Sequence, residues 1–374
     1  MLMRMANGEW RMANGEWQMA NGEWQGAMMV ESKVENQPSG SLVARGVRLL
    51  KPVFLILALV FVGLLLANQW NDLRNQIWRL HGGWLTAAIL GLLVTWAAEI
   101  GLWRLLLRLI DGPLDGRLDF GAAARIWFAS AIVRYIPGNV WQPLSMTVLC
   151  RERGIRAEAT LISVVLIQVI TLLGVLPLAA VYLLFTGNLG MLSAGMTGAI
   201  PWLAGLALGC VLLFLLRPGW LFGLLNWLLV KVGRPALPIT FSSAWLLGLL
   251  LIGMGIWILW GLTFAAVTFA VVDLPPAQMG TDLFHLVGTY PMAYAMGYLS
   301  FITPSGLGVR EGALFFWLEP VIGGGVATLA ALAMRLLTTA GELVLAGLGA
   351  LWGRKEKEKA KGKGQEAKGK SVSL

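Results

Sequence analysis

Residues that usually carry enzyme chemistry are scarce in this chain. Cys150 and Cys210 are its only cysteines and His81 and His285 its only histidines in 374 residues. Both cysteines fall in or beside predicted helices, so neither a disulfide framework nor a Cys-ligated zinc site is indicated. No HExxH or GxSxG string occurs, which removes zincin and α/β-hydrolase chemistry; the one GxxxxGK[ST] string, Gly364 to Ser371, lies in a polar Lys-rich stretch with no apolar strand before it, so it lacks the context of a P-loop. The expectation is a non-enzyme with no metal and no cofactor. Charge is also thin, at 13% of residues, against 57% hydrophobic residues and a mean hydropathy of +0.71. Several apolar runs exceed the roughly 18 residues that mark a membrane-spanning helix, so the chain reads as an all-α integral membrane protein. Eighteen Trp stand against five Tyr. Trp70, Trp78, Trp84, Trp202, Trp220 and Trp352 lie near run ends, as interfacial anchors do, whereas Trp96 and Trp257 fall mid-run and read as packing.

Three segments follow from composition. Residues 1–44 hold Met-Ala-Asn-Gly-Glu-Trp at Met5, Met12 and Met19, a seven-residue period with too few apolar anchors for a coiled coil. This reads as a disordered low-complexity N-terminus upstream of a start at Met28 or Met29. Residues 45–352 form the transmembrane domain. Residues 353–374 form a Lys-rich tail, expected to be disordered and cytoplasmic; Arg354 to Lys370 holds eight Lys/Arg and three Glu, so five of the nine net positive charges lie there.

Within the membrane region, apolar spans run at about 52–67, 83–109, 160–185, 199–216, 243–272 and 324–351. Two interrupted inserts, 120–150 and 281–317, lie between the second and third and between the fifth and sixth. The expected architecture is a polytopic helical bundle of about six full spans plus two re-entrant helical hairpins, or eight spans if the inserts are counted so. Basic residues at Arg45, Arg48 and Lys51, at Arg151, Arg153 and Arg156, at Arg217, Lys231 and Arg234, and in the tail place both termini in the cytoplasm; Arg74 and Arg79 are the exception. On this topology spans one to three and four to six are inverted repeats, with Tyr135-Ile136-Pro137 opposite Phe301-Ile302-Thr303-Pro304.

Each insert carries a polar break. Irregular backbone persists at membrane depth only where protein or a water-filled cavity surrounds it. In the second break, Pro304, Ser305, Gly306 and Gly308 suit a turn whose free N–H groups, with Arg310, would form an anion trap at a helix N-terminus. In the first, Pro137, Gly138 and Asn139 would do the same, with Arg134 and Gln142 as polar ligands and Tyr135 and Trp141 as walls. A plain re-entrant turn is the competing reading of both. Ionisable residues inside spans are costly and mark function by default. Glu99, Glu311, Arg335 and Glu342 are assigned to charge balance or proton relay, with Glu311–Arg335 an expected pair; a buried ion-pair network that only fixes packing is the alternative. Arg104 and Arg108, near a span end, are set aside as snorkelling. Asp282 and His285 share a helix face, and read as an interfacial pair or a proton relay. Gln168 and Pro177 read as packing polarity and a kink.

Arg-Tyr-Ile-Pro-Gly-Asn-Val-Trp at 134–141 and Pro-Ser-Gly-Leu-Gly-Val-Arg-Glu-Gly at 304–312 resemble, in this order, the two signature segments of the lysylphosphatidylglycerol synthase transmembrane (flippase-like) family. The resemblance spans about Arg45 to Trp352. Ser305 stands where Gly is frequent, and Asn139 where many relatives carry Lys. The family implies translocation or binding of an anionic phospholipid or a polyprenyl-phosphate-linked lipid at a bacterial inner membrane. The soluble aminoacyl-transferase domain of bifunctional members has no counterpart after Trp352, so lysyl transfer is not carried over. The alternative reading is a non-transporting membrane partner that presents lipid to a separate glycosyl- or aminoacyl-transferase. No nucleic-acid partner is indicated.

Overall fold

The computed structural model describes residues 3–5, 8–13, 16–19, 80–114, 116–135, 141–186, 194–231, 236, 241–273, 277–300 and 306–372. The chain divides into two units, Met1–Pro52 and Val53–Leu374.

In the first unit the repeats form three short antiparallel strands, β1 (Met3–Met5), β2 (Gly8–Ala13) and β3 (Glu16–Met19). This differs from the structureless tract that composition predicts. Pairing of Ala13 with Glu16 leaves Asn14-Gly15 between strands, and Asn-Gly is the strongest short hairpin signal. The residues on either side alternate Trp or Met with polar residues, as strands require.

Among its described residues the second unit holds one 3-10 turn, Ile132–Tyr135, and ten α-helices. They are α1 (Gly82–Asp111), α2 (Phe120–Ala131), α3 (Trp141–Arg151), α4 (Ala157–Thr186), α5 (Ala194–Leu216), α6 (Pro218–Lys231), α7 (Ser243–Val271), α8 (Met279–Leu299), α9 (Val309–Ile322) and α10 (Gly324–Val372). The span expected at 52–67 lies outside the described residues. Helices α1, α4, α7 and the Gly324–Trp352 part of α10 are long and apolar enough to cross a membrane. Half of the α7 window is buried, against 28% in α10, which makes α7 the central helix. Starts and stops follow local chemistry. Asp119 caps α2 by accepting from Ala122 N at 2.6 Å, Ser242 caps α7 through Trp245 N, and Gly112, at φ 83°, ends α1.

Helix α10 continues through the Lys-rich segment to Val372, where composition predicts disorder. Ala, Lys, Glu and Gln are good helix formers and no proline interrupts them. Alternating Lys and Glu at 355–359 also suits neighbouring turns of a helix.

Both inserts are pairs of helices about a break. The first is short on both arms, at 12 and 11 residues, about 18 and 16 Å at 1.5 Å per residue. The second is unequal, at 21 and 14 residues, so α8 approaches the roughly 30 Å thickness of a hydrocarbon core. Two half-length arms therefore describe the first insert only.

The order long, short, short, long occurs twice, in α1–α4 and α7–α10. Their packing repeats as well: α2 lies on α1, α3 and α10 as α8 lies on α7, α9 and α4, while α1–α4 and α3–α4 match α7–α10 and α9–α10. The hand of the relation is read from α1 and α7, which are equivalents and touch. His81 N donates to Ala270 O at 2.9 Å, Trp84 packs against Phe269 with the rings tilted by 60°, and Glu99 meets Trp260. Moving forward along α1 means moving backward along α7, so equivalent helices run antiparallel. The two quartets are an inverted pair.

Candidate functional site

The second break is shaped by glycine. Gly306 and Gly308 have φ of 68° and 86°, a region that costs a residue with a Cβ roughly 1–2 kcal/mol. Gly306 also lies against the backbone of Gly297 in α8: a Cβ there would stand 2.8 Å from Gly297 Cα, C and O. The turn and α8 are thus in backbone contact, and α9 begins at once at Val309.

Glu311, in the first turn of α9 and 3% exposed, uses both oxygens. Oε2 accepts from Gly308 N at 2.7 Å and Oε1 accepts from Arg335 Nη1 of α10 at 2.8 Å. The Glu311–Arg335 pair was expected. The anion trap built on Gly308 was not realised in that form, because the chain's own carboxylate already takes this N–H. A helix N-terminus attracts negative charge, and Glu311 supplies it.

Arg310 points elsewhere, since adjacent helical residues diverge by about 100°. Its Nη2 donates to Tyr290 OH at 2.7 Å, and its guanidinium carbon lies 4.9 and 5.3 Å from the Tyr290 and Tyr294 ring centroids. Among the described residues no carboxylate lies within 4.0 Å of it. Among the described residues Arg335 has a carboxylate partner and Arg310 has none within 4.0 Å.

These groups meet at a cavity of about 120 Å³ between the two quartets. One water needs roughly 10–15 Å³ of such space, so several fit. Glu99, Gln142, Gln168, Gly306, Arg310, Arg335 and Glu342 line it, among Trp96, Trp127, Trp257, Trp260, Tyr294 and Tyr298. Glu99 accepts from Trp260 Nε1 at 2.9 Å; these two lie equally far past the starts of their equivalent helices, close to the axis relating the quartets. Gly341 of α10 closes against Trp96, whose ring a Cβ there would overlap at 2.6 Å.

Of the predicted site residues, Gln142, Gly306, Arg310, Glu99, Arg335 and Glu342 converge on the cavity, while Gly308 and Glu311 support its wall. Trp141 is exposed and absent from the lining. Pro137, Gly138, Asn139, Pro304 and Ser305 lie outside the described residues, as do the side chains of Arg134 and Tyr135. Arg104 does more than reach for the interface: Nε and Nη2 both donate to Leu118 O, at 3.2 and 2.9 Å, holding the loop before α2. Gln168, Trp96 and Trp257, expected to serve packing alone, line the cavity, and Trp257 also donates to Thr171 O at 2.6 Å. Sequence reasoning missed the tyrosines. Three of the five Tyr in the chain stand at 290, 294 and 298, a four-residue step that puts them on one helix face and was a readable signal.

A family model described as the lysylphosphatidylglycerol synthase TM region matches residues 49–346. No curated protein matches the chain. The matched stretch takes in both breaks and every described residue of the cavity, and consists of the membrane region, with no catalytic domain in the match.

Proposed function

The chain belongs to the lysylphosphatidylglycerol synthase TM-region family, and from that membership we propose that its cavity receives the headgroup of an anionic phospholipid or of a polyprenyl-phosphate-linked lipid and passes it between leaflets. The observation that carries this reading is Arg310: a guanidinium on the wall of a hydratable, aromatic-lined cavity, with no carboxylate partner among the described residues. Tyr290 and Tyr294 orient the cation without neutralising it, so its remaining N–H groups suit phosphate oxygens. Acyl chains stay in lipid while the headgroup crosses in a polar interior. The inverted quartets supply two arrangements of one site, a plan common among transporters. The setting is a bacterial inner membrane with both termini cytoplasmic, and the protein acts without catalysis of its own.

The test is reconstitution. Liposomes holding the purified protein are expected to exchange labelled anionic phospholipid, or labelled polyprenyl-phosphate lipid, faster than empty liposomes. Exchange of both lipids at the empty-liposome rate would overturn the reading and favour the alternative of a partner that presents lipid to a separate transferase. Arg310→Ala is expected to slow exchange about 10- to 100-fold, since a hydrogen bond to a charged group contributes roughly 1.5–3 kcal/mol. Arg310→Lys keeps the charge but loses the planar fork, and should recover only part of the rate. The readout is exchange rate per folded protein, with size-exclusion profiles confirming equal folding.

A further inference from the structure

Helix α8 carries a second polar cluster, away from the cavity. Asp282 lies in its first turn and is 4% exposed. Its Oδ2 is the only buried side-chain nitrogen or oxygen among the described residues that lacks a hydrogen-bond partner. His285 follows three residues on, on the same helix face. Its Nδ1 meets the hydroxyl of Tyr182, on α4, at 2.9 Å, with the two rings 5.8 Å apart at 85°.

The cluster is shaped to hold this contact. A Cβ on Gly288 would overlap the Tyr182 ring, so glycine at that position lets the ring lie on α8 and reach His285. Phe284 closes one side, 5.7 Å from Tyr182 and 5.9 Å from His285. Few other ionisable groups face it. Helix α7 has none between Ser243 and Val271. On α4 there is Tyr182, with Glu158 at the far end of the helix. Helix α9 offers Arg310 and Glu311, engaged with Tyr290 and Arg335, and Glu319, which is exposed. In the first quartet the equivalent junction of α2 with α10 sets Arg125 against Gly349. The inverted pair therefore has a permanent cation at one end and titratable groups at the other.

A buried carboxylate oxygen without a partner carries a desolvation cost that binding a proton removes. We propose that Asp282, beside the hydrogen-bonded His285–Tyr182 pair, is a proton-binding site distinct from the headgroup cavity, and that its occupancy sets the packing of α8 on α4. Because α8 also carries Tyr294, Gly297 and Tyr298 of the cavity wall, and Tyr290, which holds Arg310, a change in that packing reaches Arg310. The proton site stands on its own geometry; its effect on lipid movement rests on the reading of the cavity as a headgroup site.

Infrared difference spectra of the purified full-length protein, titrated over about pH 5–9, test the site directly. The expected result is a carboxylic-acid carbonyl band that titrates in the wild type and is missing in Asp282→Asn; no difference between the two overturns the proposal. Should Asp282→Asn fail to accumulate, His285→Gln serves instead. It is expected to move the midpoint of that band by at least about half a pH unit, and an unmoved midpoint overturns the pairing. In proteoliposomes under an imposed pH step, lipid exchange by the wild type is expected to change severalfold. Asp282→Asn should keep the rate seen without a gradient and lose the response. An equal response in both overturns the coupling. If no protein moves lipid at all, the headgroup reading fails while the infrared result still judges the proton site.

Discussion

Glu311→Ala is expected to destabilise the protein by about 3–5 kcal/mol, the range for breaking a buried ion pair by removing one partner. Two losses combine. Arg335, whose side chain is 16% exposed, keeps its charge without a counter-ion at 2.8 Å, and Gly308 N loses its acceptor at the start of α9. Because Arg335 borders a hydratable cavity, the lower end of that range is the expectation. The cost is not the strength of the pair, since most of it is the penalty of stranding a charge. The double variant Glu311→Leu with Arg335→Met should therefore recover most of the loss. Glu311→Gln, which keeps an acceptor for Gly308 N, should fall between wild type and alanine. Thermal unfolding in detergent reads all three, and an unchanged midpoint in Glu311→Ala would show that the pair is not part of the fold's support.

Gly306→Ala is expected to cost about 3 kcal/mol and to reduce accumulation in the membrane. The cost has two independent sources. Positive φ for a residue with a Cβ costs roughly 1–2 kcal/mol, and forcing an atom into filled space typically costs 1–3 kcal/mol. The obstructing atoms are the Gly297 backbone at 2.8 Å, which cannot rotate aside as a side chain would. The turn has to lift from α8, carrying Arg310 away from Tyr290 and Tyr294. Gly323→Ala, with the same sign of φ but nothing within 4 Å of an added Cβ, should cost less. Comparing the two unfolding midpoints separates backbone strain from overlap; equal losses would show that the Gly306–Gly297 contact carries no weight.

Much of the membrane architecture was legible because it depends on local quantities. Run length sets whether a segment can cross, so the predicted spans at 83–109, 160–185 and 243–272 correspond to α1, α4 and α7. The breaks were legible because proline and glycine act on their own turn of chain. Two stretches that composition reads as disordered carry regular backbone in the structure. The Asn-Gly repeats pair as strands, and the Lys-rich tail continues α10. In both, polarity was taken for disorder, although hairpin signals and helix propensity act whether or not a segment has a core to join.

The candidate site was legible only as a set of residue types. Glu99, Arg310, Arg335 and Glu342 stood out because charge inside apolar spans is expensive. Their differing circumstances could not be read so. Arg310 and Glu311 are neighbours in sequence, yet Glu311 reaches α10 while Arg310 turns to tyrosines on α8. Trp257 looked like core because an indole in an apolar run has no visible partner, and its partner is Thr171, on another helix.

By itself the sequence determined that the chain crosses a membrane, where it breaks, which costly groups it keeps there, and through its paired motifs the family to which it belongs. Tertiary structure decided that Arg335 pairs with Glu311 while Arg310 turns to Tyr290, that Gly308 N is taken by the Glu311 carboxylate, and that Asp282 lies buried one helical turn from His285. The reason is that hydropathy, backbone freedom and propensity act within a few residues. Neutralising a buried charge or filling a cavity wall depends on the rotation and depth of helices brought together from distant parts of the chain.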